Sequence, residues 1–419
     1  MRDLGTSDDP RVQAQLDRLG TLSIQRDTLG LDAIRTLMAR LGDPHTRLPP
    51  VFHVAGTNGK GSTCAFLRAM LEAEGFRVHV TTSPHLVRYN ERFRIAGELI
   101  DDARLAKVLE AVFDAAEGLG CSFFEITIAA GFLAFSREPA DACVVEVGLG
   151  GRLDATNVLA PDAVAVSGIA ALGIDHEKFL LAPEDGVPAD PMARIAFEKA
   201  GIAKAGVPLV VMADNYPDEA LHALRKAAQN AEARLIEMQP GDELNLGANT
   251  TALRGDHQLQ NAALAAAMVK HQTALSVSQA SIRAGIAKAS WPARMQLLSR
   301  GPLTGSREVW LDGGHNRNAG EALARELSAS HLHVIIGMLE AKDPASLIEP
   351  LGSSVASITA VPVPGQDCHT AAAFGPTAQQ ADDVPSALAA LPDDGLPVLI
   401  AGSLYLAGEV LRLNNEIPD

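Results

Sequence analysis

His53-Val54-Ala55-Gly56-Thr57-Asn58-Gly59-Lys60-Gly61-Ser62-Thr63 is the stretch that decides the fold. The apolar run Val51–Ala55 reads as a strand, and a helical pattern extends beyond Thr63 to about Gly75. The glycines between them therefore form a strand-to-helix turn. Glycines let successive backbone N–H groups face one anion, the following helix adds its positive end, and Lys60 adds a full charge. Ser62 or Thr63 offers a hydroxyl of the kind that ligates the Mg2+ accompanying ATP. The spacing is tighter than in the usual P-loop: only Thr57 and Asn58 separate Gly56 from Gly59-Lys60, and Gly61 precedes the hydroxyl. The turn reads as a phosphate cradle, with plain loop geometry as the alternative.

Outward from this turn, short β-rich runs alternate with helical segments. Strands are expected at Arg77–Thr81, Ala142–Val147, Ala163–Ile169, Pro208–Met212 and Arg234–Glu237, with helices at Ala103–Gly118 and Ser122–Glu138. This alternation predicts a doubly wound α/β sheet. Upstream, Leu16, Leu19 and Leu22, then Leu31, Ile34, Leu37, Met38 and Leu41, recur at helical spacing until Pro49-Pro50. Downstream, Pro240–Asn249 reads as a connection, followed by helices Gln258–Lys270 and Ala280–Lys288. A second α/β series follows Trp291-Pro292: strand Glu308–Asp312, helix Ala319–Ala329, strands His331–Gly337 and Ser357–Val361, helix Pro385–Ala390 and strand Pro397–Ala401. A chain of 419 residues exceeds what one core usually organises, so the expected division is residues 1–292 and 293–419, with the active site in the crevice between them.

With 51 acidic against 35 basic residues the net charge is −16, which argues against a broad nucleic-acid footprint. An anionic substrate must instead be met by a local cluster. No apolar run is long enough to span a bilayer, and Met1-Arg2-Asp3-Leu4 is not a hydrophobic signal segment, so a cytoplasmic protein without membrane partners is expected. Cys64, Cys121, Cys143 and Cys368 lack the paired spacing of disulfide or zinc frameworks and read as reduced, buried side chains.

Further constellations suggest chemistry. Glu146 in Val144-Val145-Glu146-Val147 places a carboxylate in an apolar strand, a costly position unless it is paired or bound to a cation; a solvent-facing strand end is the alternative. The glycines after it permit close ligand approach, and Asp154 and Asn157 share their loop. Asp175-His176 occupies a third strand exit; a lone histidine is more often structural, but this one points to the same sheet edge as the two other polar loops. Lys199 lies in the amphipathic segment Ile195–Ala200, where composition alone makes it a surface residue. Asn261, early in a helix, could read a base edge or serve as part of a cap. In the second series, Arg294 and Asp312-Gly313-Gly314-His315-Asn316 stand out, the latter either a functional strand exit or a turn.

In this order, His53–Thr63, Thr82–Leu86, Glu146–Asn157, Glu198–Ile202, Gly255–Asn261 and Asp312–Asn316 resemble the folylpolyglutamate synthase and dihydrofolate synthase family, relatives of the ATP-dependent Mur ligases. The resemblance implies a P-loop domain joined to a smaller Rossmann-like domain, with ATP between them. It assigns ATP to Gly56, Thr57, Asn58, Gly59, Lys60, Gly61, Ser62 and Thr63, with Asn261 at the adenine. Arg294, Asp312 and His315 would serve ATP and the incoming glutamate. Ser83, Pro84, His85 and Arg88 resemble a folate-site loop, with Phe124, Asp154 and Ala155 near the pterin. Ser62, Glu146 and His176 would hold magnesium, and Lys199 corresponds to a lysine carbamylated in the family; a carbamate forms only on the neutral amine and yields an anion able to bind a second Mg2+. A monovalent cation and a monomeric state are further expectations of the resemblance. The chain departs from the family pattern in its longer Leu180–Met192 link, at Phe197, Met295 and Gly314, and at Ala170-Ala171. The reaction so implied joins L-glutamate to dihydropteroate and to reduced folates through an acyl phosphate, with Lys60, Lys199 and His315 as catalytic residues. The alternatives are a Mur-type ligase of peptidoglycan precursors and a non-catalytic nucleotide-binding switch.

Overall fold

A computed structural model describes residues 5–23, 30–239, 251–327 and 331–418. The strands are β1 (Val51–Ala55), β2 (Val78–Thr81), β3 (Phe93–Ile95), β4 (Glu98–Leu99), β5 (Ala142–Glu146), β6 (Val164–Ile169), β7 (Pro208–Val211), β8 (Arg234–Glu237), β9 (Gln296–Leu297), β10 (Val309–Leu311), β11 (Leu332–Ile336), β12 (Val355–Ala360), β13 (Gln379–Gln380) and β14 (Val398–Ala401). The helices are α1 (Pro10–Gly20), α2 (Asp32–Arg40), α3 (Lys60–Ala73), α4 (Asp102–Ala115), α5 (Phe123–Ser136), α6 (Glu177–Leu180), α7 (Pro191–Ala200), α8 (Asp218–Asn230), α9 (Asp256–His271), α10 (Gln279–Lys288), α11 (Arg317–Leu327), α12 (Ala345–Leu351), α13 (Val384–Ala390) and α14 (Leu404–Leu413). The connection expected at Pro240–Asn249 and the end of the helix expected at Ala319–Ala329 lie outside the described residues.

Two sheets form. The first runs β4-β3-β2-β5-β1-β6-β7-β8 and the second β13-β12-β11-β14-β10-β9. Six strands of the first are parallel, as the α/β alternation predicts, but β3 and β4 add an antiparallel edge. That hairpin turns at Ala96 and Gly97, both at positive φ, as a tight hairpin turn requires. Its two strands are too short to show an alternating pattern. Antiparallel β9 likewise closes one edge of the second sheet.

Strand alternation assigns the two faces of the first sheet. Phe52, Val54, Ala142 and Val144 join the core that includes Phe66, Leu67 and Met70 of α3 and Leu264 and Met268 of α9. Val51, Cys143 and Val145 join the opposite core, with Leu16, Ile34, Leu109 and Phe132 from α1, α2, α4 and α5. Helix α5 is apolar all round, which suits its burial, and Ser122 and Glu125 cap its start reciprocally. Among the described residues, no helix is long and apolar enough to cross a membrane.

One buried histidine ties β1 to the loop after β5. Thr156 donates its hydroxyl to Asp154 Oδ1 (2.6 Å), so its oxygen accepts from His53 Nε2 (2.9 Å), leaving His53 neutral with Nδ1 unpartnered. Burial pushes the His53 pKa down to about 3. The unfolded imidazole takes up a proton near its ordinary value, whereas the folded one does so only near the lowered value. Stability is therefore expected to fall as pH drops below about 6.5, by roughly 1.4 kcal/mol per pH unit from this residue. Urea unfolding at pH 7 and pH 5 measures the slope. His53→Gln is expected to flatten it, and an unchanged slope in that variant would remove His53 as its source.

Candidate active site

In the first sheet the chain leaves β1 toward β2 on one side and later crosses from β5 to β6 on the other. Strand order thus reverses at β1, and the carboxyl ends of β5, β1 and β6 open into one crevice, the usual ligand position in such sheets. Their exits carry Glu146, the Gly56–Lys60 turn and Asp175-His176. The second sheet behaves alike: β14 returns between β11 and β10, so the exits at Asp312–Asn316, Gly337-Met338 and Gly402-Ser403 are neighbours.

The turn after β1 divides its backbone donors. Thr57 and Asn58 N–H both donate to the Ala171 carbonyl (2.8 and 3.2 Å), and the Thr57 hydroxyl bonds the Gly173 carbonyl (2.8 Å). These two N–H groups therefore fasten the turn to the exit of β6. The remaining donors lie at the start of α3. Its first intrahelical bond here is Thr63 N to Gly59 O, and no side chain caps the helix. Its leading N–H groups and positive end therefore stand available to an anion. Gly59 has φ +82°, and a Cβ there would strike the Asn261 side-chain oxygen; a Cβ on Gly61 would meet the Trp291 indole at 2.8 Å. Asn261 thus packs directly on the Gly56–Lys60 turn and donates to Gln258 Oε1 at 3.1 Å. Lys60 donates to the Gly56 and Thr57 carbonyls (3.1 and 3.4 Å), and the Asn58 side-chain nitrogen is buried without a partner.

Ser62 is buried on the first turn of α3, and Glu146 is buried at the end of β5, paired in register with Val54 of the neighbouring β1. The Glu146 carboxyl accepts one bond, from Ser83 N–H at 3.0 Å. Burial pushes its pKa up, against the pull of Lys60, that N–H, Arg294 and Arg92. Lys199, read from composition as a surface residue, is buried and donates to the Gly56 carbonyl at 3.0 Å. Burial lowers its pKa to about 7, with the Lys60 charge acting in the same sense. His176 is exposed at φ +53°, and its neighbour Asp175 receives Lys342 from the second lobe at 2.7 Å. Burial opposes ionisation of Asp175, yet His176 and Lys342 together hold its carboxyl well below the usual range. Among the described residues, no three His, Cys, Asp or Glu side chains gather as a metal cluster, so any cation here relies on few protein ligands.

The residues expected at a folate site, Ser83, Pro84, His85 and Arg88, follow β2 at the adjacent exit. Ser83-Pro84 is a cis peptide, His85 Nδ1 accepts from buried Arg92 (3.0 Å), and Arg88 reaches the Pro418 carbonyl (3.0 Å). Phe124 covers Gly148 so closely that a Cβ there would overlap the ring. Ala155 is buried. The Asp154 carboxylate is occupied in holding its own loop: it accepts from Leu149 N–H (2.8 Å), Thr156 N–H (3.0 Å) and the Thr156 hydroxyl. Its observed part is thus to shape the loop.

In the second lobe Asp312 accepts from Met295 N–H (2.8 Å) and Gly314 N–H (2.7 Å), joining two loops around Arg294. Ala293 and Met295, flanking Arg294, both have positive φ, a strained backbone that packing must maintain. Arg294 donates to the Ala293 carbonyl at 2.8 Å. His315 Nδ1 lies 3.0 Å from the Gly313 carbonyl, which can only accept, so Nδ1 carries the proton and Nε2 the lone pair. Burial, then the Lys342 charge, lowers its pKa and favours the neutral ring. The lobes meet through Asn316 Nδ2 to Asn58 Oδ1 (3.0 Å), Lys342 to Asp175, and Asn318 to the Leu172 carbonyl (3.5 Å). Lys342 and Trp291 carry no motif of their own, so sequence reading passed them over.

No protein-family model matches the chain. It is, however, 31% identical over 91% of its length, and 94% of the relative's, to the dihydrofolate synthase/folylpolyglutamate synthase of Bacillus subtilis. The chain belongs to the dihydrofolate synthase/folylpolyglutamate synthase family. Like the rest of that family it is an ATP-dependent ligase. Among solved structures of the family, Escherichia coli FolC in complex with DHPP and ADP superimposes with a TM-score of 0.81 at 30% identity, covering 96% of this chain and 97% of that one. The Yersinia pestis bifunctional folylpolyglutamate synthase/dihydrofolate synthase, complexed with AMPPNP and a Mn ion, gives 0.81 at 29% identity over the same shares. Membership of the folylpolyglutamate synthase family accounts for the two-sheet fold.

Proposed function

We propose that this ligase joins L-glutamate to dihydropteroate and extends reduced folates, residues 1–292 forming the ATP and folate lobe and residues 293–419 the lobe that closes over it. The observation that carries the reading is the uncapped start of α3 with Lys60, next to a turn that the second lobe reaches through the Asn58–Asn316 contact. A carboxylate is a poor electrophile and must first be activated. The acceptor's carboxylate oxygen attacks the γ-phosphorus of ATP, giving an acyl phosphate and ADP, while Lys60 and the free N–H groups of α3 balance the phosphate charge. The glutamate amine then attacks the acyl carbon and phosphate leaves as the amide forms. The Nε2 lone pair of His315 is the acceptor for the proton that the amine loses. Closure of the second lobe excludes the water that would hydrolyse the acyl phosphate.

The residues fit a hard divalent cation. A buried hydroxyl and a buried carboxylate with a single hydrogen bond flank the phosphate turn, the small ligand set that Mg2+ accepts when phosphate and water complete its shell. Such an ion supplies Lewis-acid neutralisation of the phosphates. His176 and Lys199 border the same crevice, and the lowered Lys199 pKa favours the neutral amine from which a carbamate forms by addition to CO2 with loss of a proton. That carbamate with His176 would provide a second cation site.

The test is product formation with dihydropteroate and, separately, tetrahydrofolate, in the presence of ATP, Mg2+ and glutamate. Amide product with both is expected. Product with one alone would restrict the enzyme to a single acceptor, and absence of glutamate-dependent phosphate release with either would refute the proposal.

A further inference from the structure

Beside Lys199, on the same helix, lies a second polar cluster. Glu198 is buried and accepts from Arg152 through two bonds (2.9 and 3.2 Å), and Arg194 lies 3.1 Å from it. Two guanidinium groups on one carboxylate leave one positive charge over, and Arg194 is itself buried. Glu184 balances it: it accepts from Arg152 at 3.0 and 2.6 Å and from Arg194 at 2.7 Å. The Phe197 ring lies against both arginines, its centroid 5.2 and 5.9 Å from their guanidinium carbons. Glu184 belongs to the long 180–192 link, and Phe197 is the other nearby departure from the family pattern. The two converge on one cluster.

The backbone gives this cluster its leverage. Arg152 N–H donates to the Glu198 carbonyl at 2.7 Å. A Cβ on Gly151 would meet the Glu198 and Lys199 carbonyl oxygens at 2.9 Å, and one on Gly201 would strike Arg152. The loop after β5 therefore lies flat on the last turn of α7, with no side chain between them to absorb movement. A tilt of that turn carries Lys199 away from the Gly56 carbonyl.

We propose that Glu184 is a positioning residue for ligation: by binding Arg152 and Arg194 together with Glu198, it fixes the end of α7 against the 148–152 loop and holds Lys199 at the phosphate turn. The proposal rests on the reading of Lys199 as part of the ligase site. Arg194 Nη1 is already buried without a partner, so loss of the Glu184 acceptor leaves a buried guanidinium further under-bonded and draws it, with α7, toward other acceptors.

Steady-state kinetics of the full chain test this. Glu184→Gln keeps the shape but removes the charge that balances the second guanidinium and one of the two acceptor oxygens. It is expected to lower kcat for glutamate-dependent phosphate release about tenfold, as small misplacements of catalytic groups do. KM for ATP is expected to stay within about twofold, and Glu184→Asp to recover most of kcat. A Glu184→Gln enzyme with wild-type kcat would overturn the clamp, as would a loss that Glu184→Asp does not recover. Should Glu184→Gln not fold, Arg152→Lys, which keeps the charge but loses the bidentate fork, decides by the same split of kcat and KM. Lys199→Ala separates the two readings: wild-type activity in that variant defeats the role given to Lys199, whereas an inactive Lys199→Ala beside an unimpaired Glu184→Gln defeats the clamp alone.

Discussion

Lys60→Ala is expected to abolish ligation, lowering kcat by at least about 10³-fold, the scale on which cations that stabilise phosphoryl transfer act. The ammonium lies over the turn at the start of α3, bonded at 3.1 Å to the Gly56 carbonyl, and no side chain caps that helix start. Its bonds are to carbonyls of its own turn, and alanine is a good residue for the first turn of a helix, so folding is expected to survive. Lys60→Arg is not expected to restore activity, because a planar fork does not replace a compact ammonium in so tight a turn. Glutamate-dependent phosphate release and the thermal midpoint, measured on the same preparations, separate the two effects. A folded Lys60→Ala enzyme with substantial activity would mean that the phosphates bind elsewhere.

Glu146→Gln is expected to divide function from stability. Glu146 is buried with one hydrogen bond, and burial raises its pKa, so holding this carboxylate ionised costs the fold stability. A group whose folded pKa is raised destabilises increasingly as pH climbs above its unfolded value, and a neutral amide of the same shape removes that penalty. The variant is therefore expected to melt at or above the wild-type temperature at pH 7. Activity is expected to fall roughly 10²- to 10³-fold, with half-maximal activity displaced to higher Mg2+, the size of effect seen when one preorganised charge is removed from an active site. Magnesium titration of the rate and a thermal melt provide both readouts. A lower melting temperature with an unchanged magnesium requirement would make Glu146 a structural residue.

These two residues also mark how far the site was legible. Lys60 stands in a strand-turn-helix pattern that local sequence spells out, and Glu146 announces itself as a charge in an apolar run. Lys199 was different: only tertiary packing buries an amine that composition places at the surface. Asp154, read as a possible ligand group, is taken up by three bonds within its own loop. Asp175–Lys342 joins residues 167 positions apart, and no local pattern encodes such a pairing. The β3–β4 hairpin went unread because three- and two-residue strands carry no periodicity.

Local chemistry by itself determined the parallel α/β character, the glycine-rich strand-to-helix turn and the expectation of two lobes, since each follows from periodicity and from the conformational freedom of a few glycines within a short window. Tertiary structure decided the strand order β5-β1-β6, which N–H groups of the turn remain free, and the burial of Lys199 against Gly56. The physical reason is that these depend on long-range packing and desolvation: a side chain's neighbours in space, and hence its charge state and partners, are set only when distant segments close on it.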